Sequence, residues 1–254
     1  KDGLHFNEPF RRKFMKKQRN WDWSKILSGF VFVSLLVSAV FVAICLVLAP
    51  SQPHGGDFER LKSDYVLMLV QCVLGMVVMF LPGVISRRLK IEIPSGMMVL
   101  FVIFLYCAIY LGEVRSFYYH ISSWDTVLHW FSGAMIGALG FSFVALFNNA
   151  ERIPVNLSPF FVAAFAFCFA VTLGVFWEFY EYTFDGLLGL NMQKFALEDG
   201  TQLAGRAALQ DTMKDLFVDA IGAFAASLIG YISLKHKKGW IERFQIIRKR
   251  HSTK

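Results

Sequence analysis

Six stretches of the chain are almost continuously apolar over lengths close to or above the ~20 residues a helix needs to cross a bilayer core. They cover residues 26–48, 65–85, 97–112, about 126–147, 160–182 and about 211–234. The first outlasts the ~7–15-residue apolar core of a signal peptide, and no small-residue cleavage pattern follows it, so it reads as a retained helix. The third is short but extends through Glu113. Between Tyr182 and Asp211 lies a polar, glycine-containing stretch long enough for a re-entrant or interfacial segment. The pattern predicts an all-α, polytopic transmembrane bundle of about six spans. One membrane domain, 26–234, is flanked by a basic segment 1–25 and a basic tail 235–254.

Composition strengthens this reading. Of the 254 residues, 56% are hydrophobic and only 18% charged, against about 25% charged in ordinary soluble domains. Mean hydropathy is +0.48, which excludes intrinsic disorder. Twenty-seven phenylalanines would overfill a soluble core but suit lipid-facing helices. Cys45, Cys72, Cys107 and Cys168 each sit inside an apolar run without C-x-x-C spacing, so they read as small hydrophobes rather than disulfide or zinc residues.

The net charge of +7 raises the question of nucleic acid, and its distribution answers no. Lys and Arg gather in 1–25, in 235–254 and in the loop residues Arg87, Arg88, Lys90 and Arg152. The alternate loops hold only Arg60, Lys62, Arg115, Lys194 and Arg206. Positive residues mark cytoplasmic flanks, so both termini are expected to be cytoplasmic. Trp240, Phe244, Ile246 and Ile247 among the basic residues of the tail suit an interfacial helix on anionic lipid.

Acidic residues occur where lipid should forbid them. Asp125 and His129 are four apart. Glu178, Glu181 and Asp185 step by three and four, and Asp211, Asp215 and Asp219 by four and four. Residues at these spacings share one helix face. The start of span four, the end of span five and the start of span six therefore carry polar stripes at similar depth, in the outer half of the membrane. So many carboxylates cannot all stay ionised in a low dielectric. They must be protonated, paired with Arg206, Lys214 or His129, or neutralised by a metal. Oxygen ligands with a histidine suit Mn, Zn, Fe or Mg. The ligand candidates are Asp125, His129, Glu178, Glu181, Asp215 and Asp219, and the candidate catalytic groups are His129, Glu178, Glu181 and Asp215. Near the water boundary, Asp125, Asp185 and Asp211 also suit simple capping or flanking in solvent. Gly133 and Gly137 in span four, with Gly222, Ala226 and Gly230 in span six, permit close helix approach.

Three strings carry a family resemblance: Trp124 to His129 followed by Ser132-Gly133, the segment Trp177 to Glu181, and the run Asp211 to Ala223. Together they resemble the bacterial inner-membrane family of the YjdF type over roughly residues 60–235. More distantly they are similar to VanZ-like proteins, with Gly205-Arg206 and Asp215, Asp219, Gly222-Ala223 in the places of that signature. Asp219 stands where the VanZ pattern tends to have Asn. The resemblance implies an integral protein of the bacterial inner membrane. Through the VanZ link to glycopeptide resistance it also points to the outer leaflet or cell wall.

Three functions fit. One is a metal-dependent enzyme acting on a lipid, or on a lipid-linked or other amphipathic cell-wall substrate. The second is a proton- or cation-coupled transporter, for which a dimer or larger oligomer would compensate the small span count. The third is a non-catalytic membrane protein with a structural metal or partner-binding site. No G-x-S-x-G, H-E-x-x-H or phosphatase-like cluster chooses among them.

Overall fold

A computed structural model of the chain describes residues 23–49, 62–148, 157–197, 201–240 and 244–248. Six helices long and apolar enough to cross a membrane are found among them. We number them α1 (Trp23–Leu48), α2 (Lys62–Arg88), α3 (Ser95–Leu105), α5 (Trp124–Asn148), α6 (Pro159–Leu188) and α7 (Gln210–Lys235), with a one-turn α4 at Phe117–His120. The third span is completed by a π-helical continuation of α3, Tyr106–Val114. The all-α, six-span expectation holds. Most of segment 1–25, and residues 249–254 of the tail, lie outside the described residues.

The ends of the helices follow local chemistry. Ser158 caps α6, its hydroxyl accepting from the Phe161 amide at 3.2 Å, and Pro159 occupies the first turn, where its missing amide costs nothing. Helix α6 then runs past the apolar stretch to Leu188 and stops at Gly189. That residue takes a left-handed conformation (φ 64°) and returns its amide to the Asp185 carbonyl at 3.0 Å. Span five is therefore longer at its polar end than hydropathy predicts, because Glu178, Glu181 and Asp185 are buried there.

Helices α1, α2 and α3 share one core around Leu35, Cys72, Val102 and Ile109. Helices α5, α6 and α7 pack on one another, with Phe141, Val162 and Ala166 in a second core. The approach of α5 to α7 is governed by glycine. A Cβ on Gly133 would lie 2.4 Å from the Asp219 carbonyl oxygen, and one on Gly222 would lie 2.2 Å from that of Trp130. The outside is greasy: Phe30, Phe80, Phe160, Phe179, Phe217 and Phe224 are all more than half exposed, as lipid-facing side chains are.

Two segments outside the long helices take defined shapes. Residues 190–197 and 201–209, from the stretch expected to be re-entrant or interfacial, are turns and bridged extended chain. The two stretches fold back on each other, with Leu203 donating to the Phe195 carbonyl and Ala196 bridging Gln202. The tail expectation of an interfacial helix needs correction at residues 244–248. Strand β2 (Ile247–Arg248) pairs antiparallel with β1 (Ile91–Glu92), and Ile246 is buried against Ile91 and Met97. Here the β-branched Ile pair adds to a strand, and the Phe244 carbonyl accepts from Ser142 Oγ at 2.6 Å. The aromatic and aliphatic residues of the tail divide, Ile246 turning inward while Trp240 stays exposed.

Candidate metal centre

The first turns of α5 and α7 and the last turns of α6 lie at one end of the bundle, and their polar stripes face one another. His129 is the hub. Its Nδ1 lies 3.3 Å from Asp219 Oδ2, and its Nε2 lies 3.7 Å from Asp125 Oδ1 and 3.9 Å from Asp215 Oδ2. Asp125, His129 and Asp215 each offer one ligand atom, all within 4.8 Å of one another. The three come from two helices: the i, i+4 pair of α5 and the middle acid of the α7 stripe.

Asp219 sits on the other side of the imidazole. With a proton on Nδ1, the ring donates to Asp219 and leaves the Nε2 lone pair directed toward Asp125 and Asp215, the orientation that a carboxylate behind a ligating histidine imposes. Ser132 Oγ lies 2.8 Å from the His129 carbonyl and 3.1 Å from Asp219 Oδ1, so its proton reaches either acceptor. Asp219 also closely abuts α6, where a Cβ on Gly174 would stand 2.7 Å from its Oδ2. Of the six residues expected as ligands, the structure gathers these three and sets Asp219 behind His129. Glu178 and Glu181 are directed to other partners. Glu178 Oε2 accepts a long 3.4 Å bond from Gln193 Nε2, and Glu181 Oε1 accepts from Trp177 Nε1 at 2.9 Å.

Asp125, Asp185 and Asp211 are not solvent-flanking caps. Asp185 is buried and accepts from the backbone amides of Met192 and Gln193 at 2.8 and 3.0 Å, which pins the 190–197 loop onto the end of α6. That loop delivers Lys194, whose ammonium pairs with Asp125 and, at 3.1 Å, with Asp211. Sequence reasoning offered Arg206, Lys214 or His129 as partners of the acids; His129 does face three of them, while Arg206 and Lys214 are exposed. Burial alone would lower the Lys194 pKa, but Asp125 and Asp211 outweigh it and hold the ammonium above its ordinary range. Gln193 likewise spans from Glu178 to Thr212 Oγ1, the latter at 2.8 Å. Tyr118, packed on Gly112 of the π-helical turn, is a further neighbour. Burial, then the charges of Glu113, Asp125, Glu181 and Asp215, hold its phenol well above the usual value. Lys194, Gln193 and Tyr118 escaped the sequence reading. The available signal for Lys194 was that it is the one cation between Arg152 and Arg206.

Two carboxylate oxygens at the centre, Asp215 Oδ1 and Glu178 Oε1, are fully buried without a hydrogen-bond partner, on residues only 1% and 3% exposed. An unsatisfied buried acceptor carries the whole desolvation penalty of the group, and a bound cation is one way to remove it.

The family model described as "Predicted membrane protein (DUF2238)" matches residues 31–236, most of the chain. The chain belongs to this family. The DUF2238 match takes in the greater part of α1 and every later helix, with all the residues of the centre and all three strings of the sequence resemblance. An uncharacterized protein of Thermotoga maritima is 28% identical over 155 residues, covering 60% of this chain and 70% of that one. No solved structure matches the chain.

Proposed function

We propose that this multi-pass membrane protein holds a divalent metal ion between Asp125, His129 and Asp215. In our reading it uses the ion to cleave or transfer an ester or phosphoryl group on a lipid or lipid-linked substrate. The observation that carries the reading is the two-sided environment of His129, with a carboxylate fixing Nδ1 and two more carboxylates facing Nε2. Mixed nitrogen and oxygen donors suit Mn, Zn, Fe or Mg. Three protein ligands leave positions open for water and substrate, as catalytic sites do and closed structural sites do not. An ion there would polarise the scissile oxygen. Glu178, buried and with one oxygen unpartnered, is the nearby acid best suited to serve as general base.

The Lys and Arg distribution supports cytoplasmic termini, and in that orientation the centre would lie at the outer face of a bacterial inner membrane. The VanZ-like pattern of the motifs points the same way, toward outer-leaflet or cell-wall substrates.

Metal analysis of the detergent-purified protein after incubation with Mn²⁺ or Zn²⁺ tests this. About one ion per chain is expected in wild type and in Glu178→Ala, with loss of the ion in His129→Ala and Asp215→Ala. Wild-type protein that takes up no ion overturns it. The unpartnered Glu178 oxygen, outside the ligand set, favours one second reading, a proton-coupled carrier. That reading expects metal-free protein whose proton flux in liposomes is abolished by Asp215→Asn.

A further inference from the structure

The residue that touches both the ligand set and the loop is Asp125. Its Oδ1 faces His129 Nε2, while its Oδ2 is engaged by the Lys194 ammonium. The two partners differ in how firmly they are held. His129 and Asp215 sit on helices and are buried. Lys194 sits on a loop, its side chain 42% exposed, and its backbone is left-handed (φ 49°) without being glycine, a conformation that costs energy for an L-residue. The loop itself stays anchored through Asp185, which takes the amides of Met192 and Gln193, so the lysine side chain can swing to water without unfolding its base. Its second partner, Asp211, stands outside the ligand set at 3.1 Å from the ammonium, able to keep it once Asp125 has let it go.

We propose that Lys194 is the resident cation of this centre and that a divalent ion exchanges with it for Asp125. The inference rests on the metal reading of the site and adds its regulation. Without the ion, the ammonium neutralises Asp125 and keeps α5 and α7 together at the mouth. An ion held by Asp125 Oδ1 would weaken that carboxylate's hold on the ammonium, and like-charge repulsion would drive Lys194 off Oδ2 toward Asp211 and solvent. The lysine sets a threshold: the centre loads only where the divalent ion is abundant enough to displace it.

Two measurements on the full chain in detergent test the exchange. In the first, Mn²⁺ affinity is compared between wild type, Lys194→Met and Lys194→Arg. Removing the competing charge should tighten binding at least about tenfold in Lys194→Met, with Lys194→Arg close to wild type. In the second, wild-type protein is treated with an amine-reactive ester with and without saturating Mn²⁺, and modification of Lys194 is followed by mass spectrometry. Faster labelling with Mn²⁺ is expected, and this readout needs no variant to fold. Equal or weaker binding by Lys194→Met, or labelling that Mn²⁺ leaves unchanged or slows, overturns the exchange while the metal reading stands. Failure of both wild type and Lys194→Met to bind Mn²⁺ removes the metal reading and the exchange together.

Discussion

At the residue scale, the centre depends on a histidine whose two nitrogens have different duties. Asp219 holds Nδ1, so it shapes the lone pair at Nε2 without facing it. Removing such a supporting carboxylate typically costs about 10–100-fold in metal affinity. Asp219→Ala should show a loss of that size in Mn²⁺ titrations. Asp219→Asn keeps an amide oxygen for the Nδ1 proton and should lose less, with both variants folded. An Asp219→Ala affinity equal to wild type would place the support of His129 elsewhere. The stripes that brought Asp125, His129, Asp215 and Asp219 into view were legible because helical period alone puts them on one face. Lys194 was not, since its partner Asp125 is 69 positions away, and no local spacing records a contact made by a loop folding back. Nor did spacing separate the acids that face the imidazole from Glu181, whose oxygen is taken by the Trp177 indole one turn away.

At the element scale, the positions of the six spans were readable from hydropathy, and their polar ends were not. Hydropathy falls where α6 gathers Glu178, Glu181 and Asp185, yet the helix continues because these acids are buried among partners instead of marking its exit into water. The π-helical turn after α3 has no period signature either. It leaves the Cys107 carbonyl to accept from Trp124 Nε1 at 3.2 Å, tying the third span to the start of α5. The small-residue pattern of spans four and six did announce their close approach. Gly133→Ala drives a methyl into the Asp219 main chain, and overpacking of this kind costs about 1–3 kcal/mol, occasionally more. Its thermal transition in detergent should fall well below wild type. Gly29→Ala on α1, where nothing lies within 4 Å of the added carbon, should leave the transition in place. Equal transitions for the two variants would show that the α5–α7 contact relaxes freely.

At the scale of the whole molecule, the centre and the two-stranded ladder occupy opposite ends of the bundle, and the proposed orientation, with the ladder end cytoplasmic, is open to direct test. In a background without native cysteines, Gln202→Cys should react with a membrane-impermeant thiol reagent in intact cells. Lys238→Cys should react only after permeabilisation. The reverse pattern would turn the centre inward and remove outer-leaflet substrates from consideration. Strand β2 carries a different consequence, for the order of assembly. It follows α7 in the chain, and its partner β1 is made before α3 to α7. Pairings so distant along a chain form slowly. The buried seat around Ile91 and Met97 thus waits for Ile246 until α7 has been made, and a nascent protein halted after α7 would be left with that seam still open.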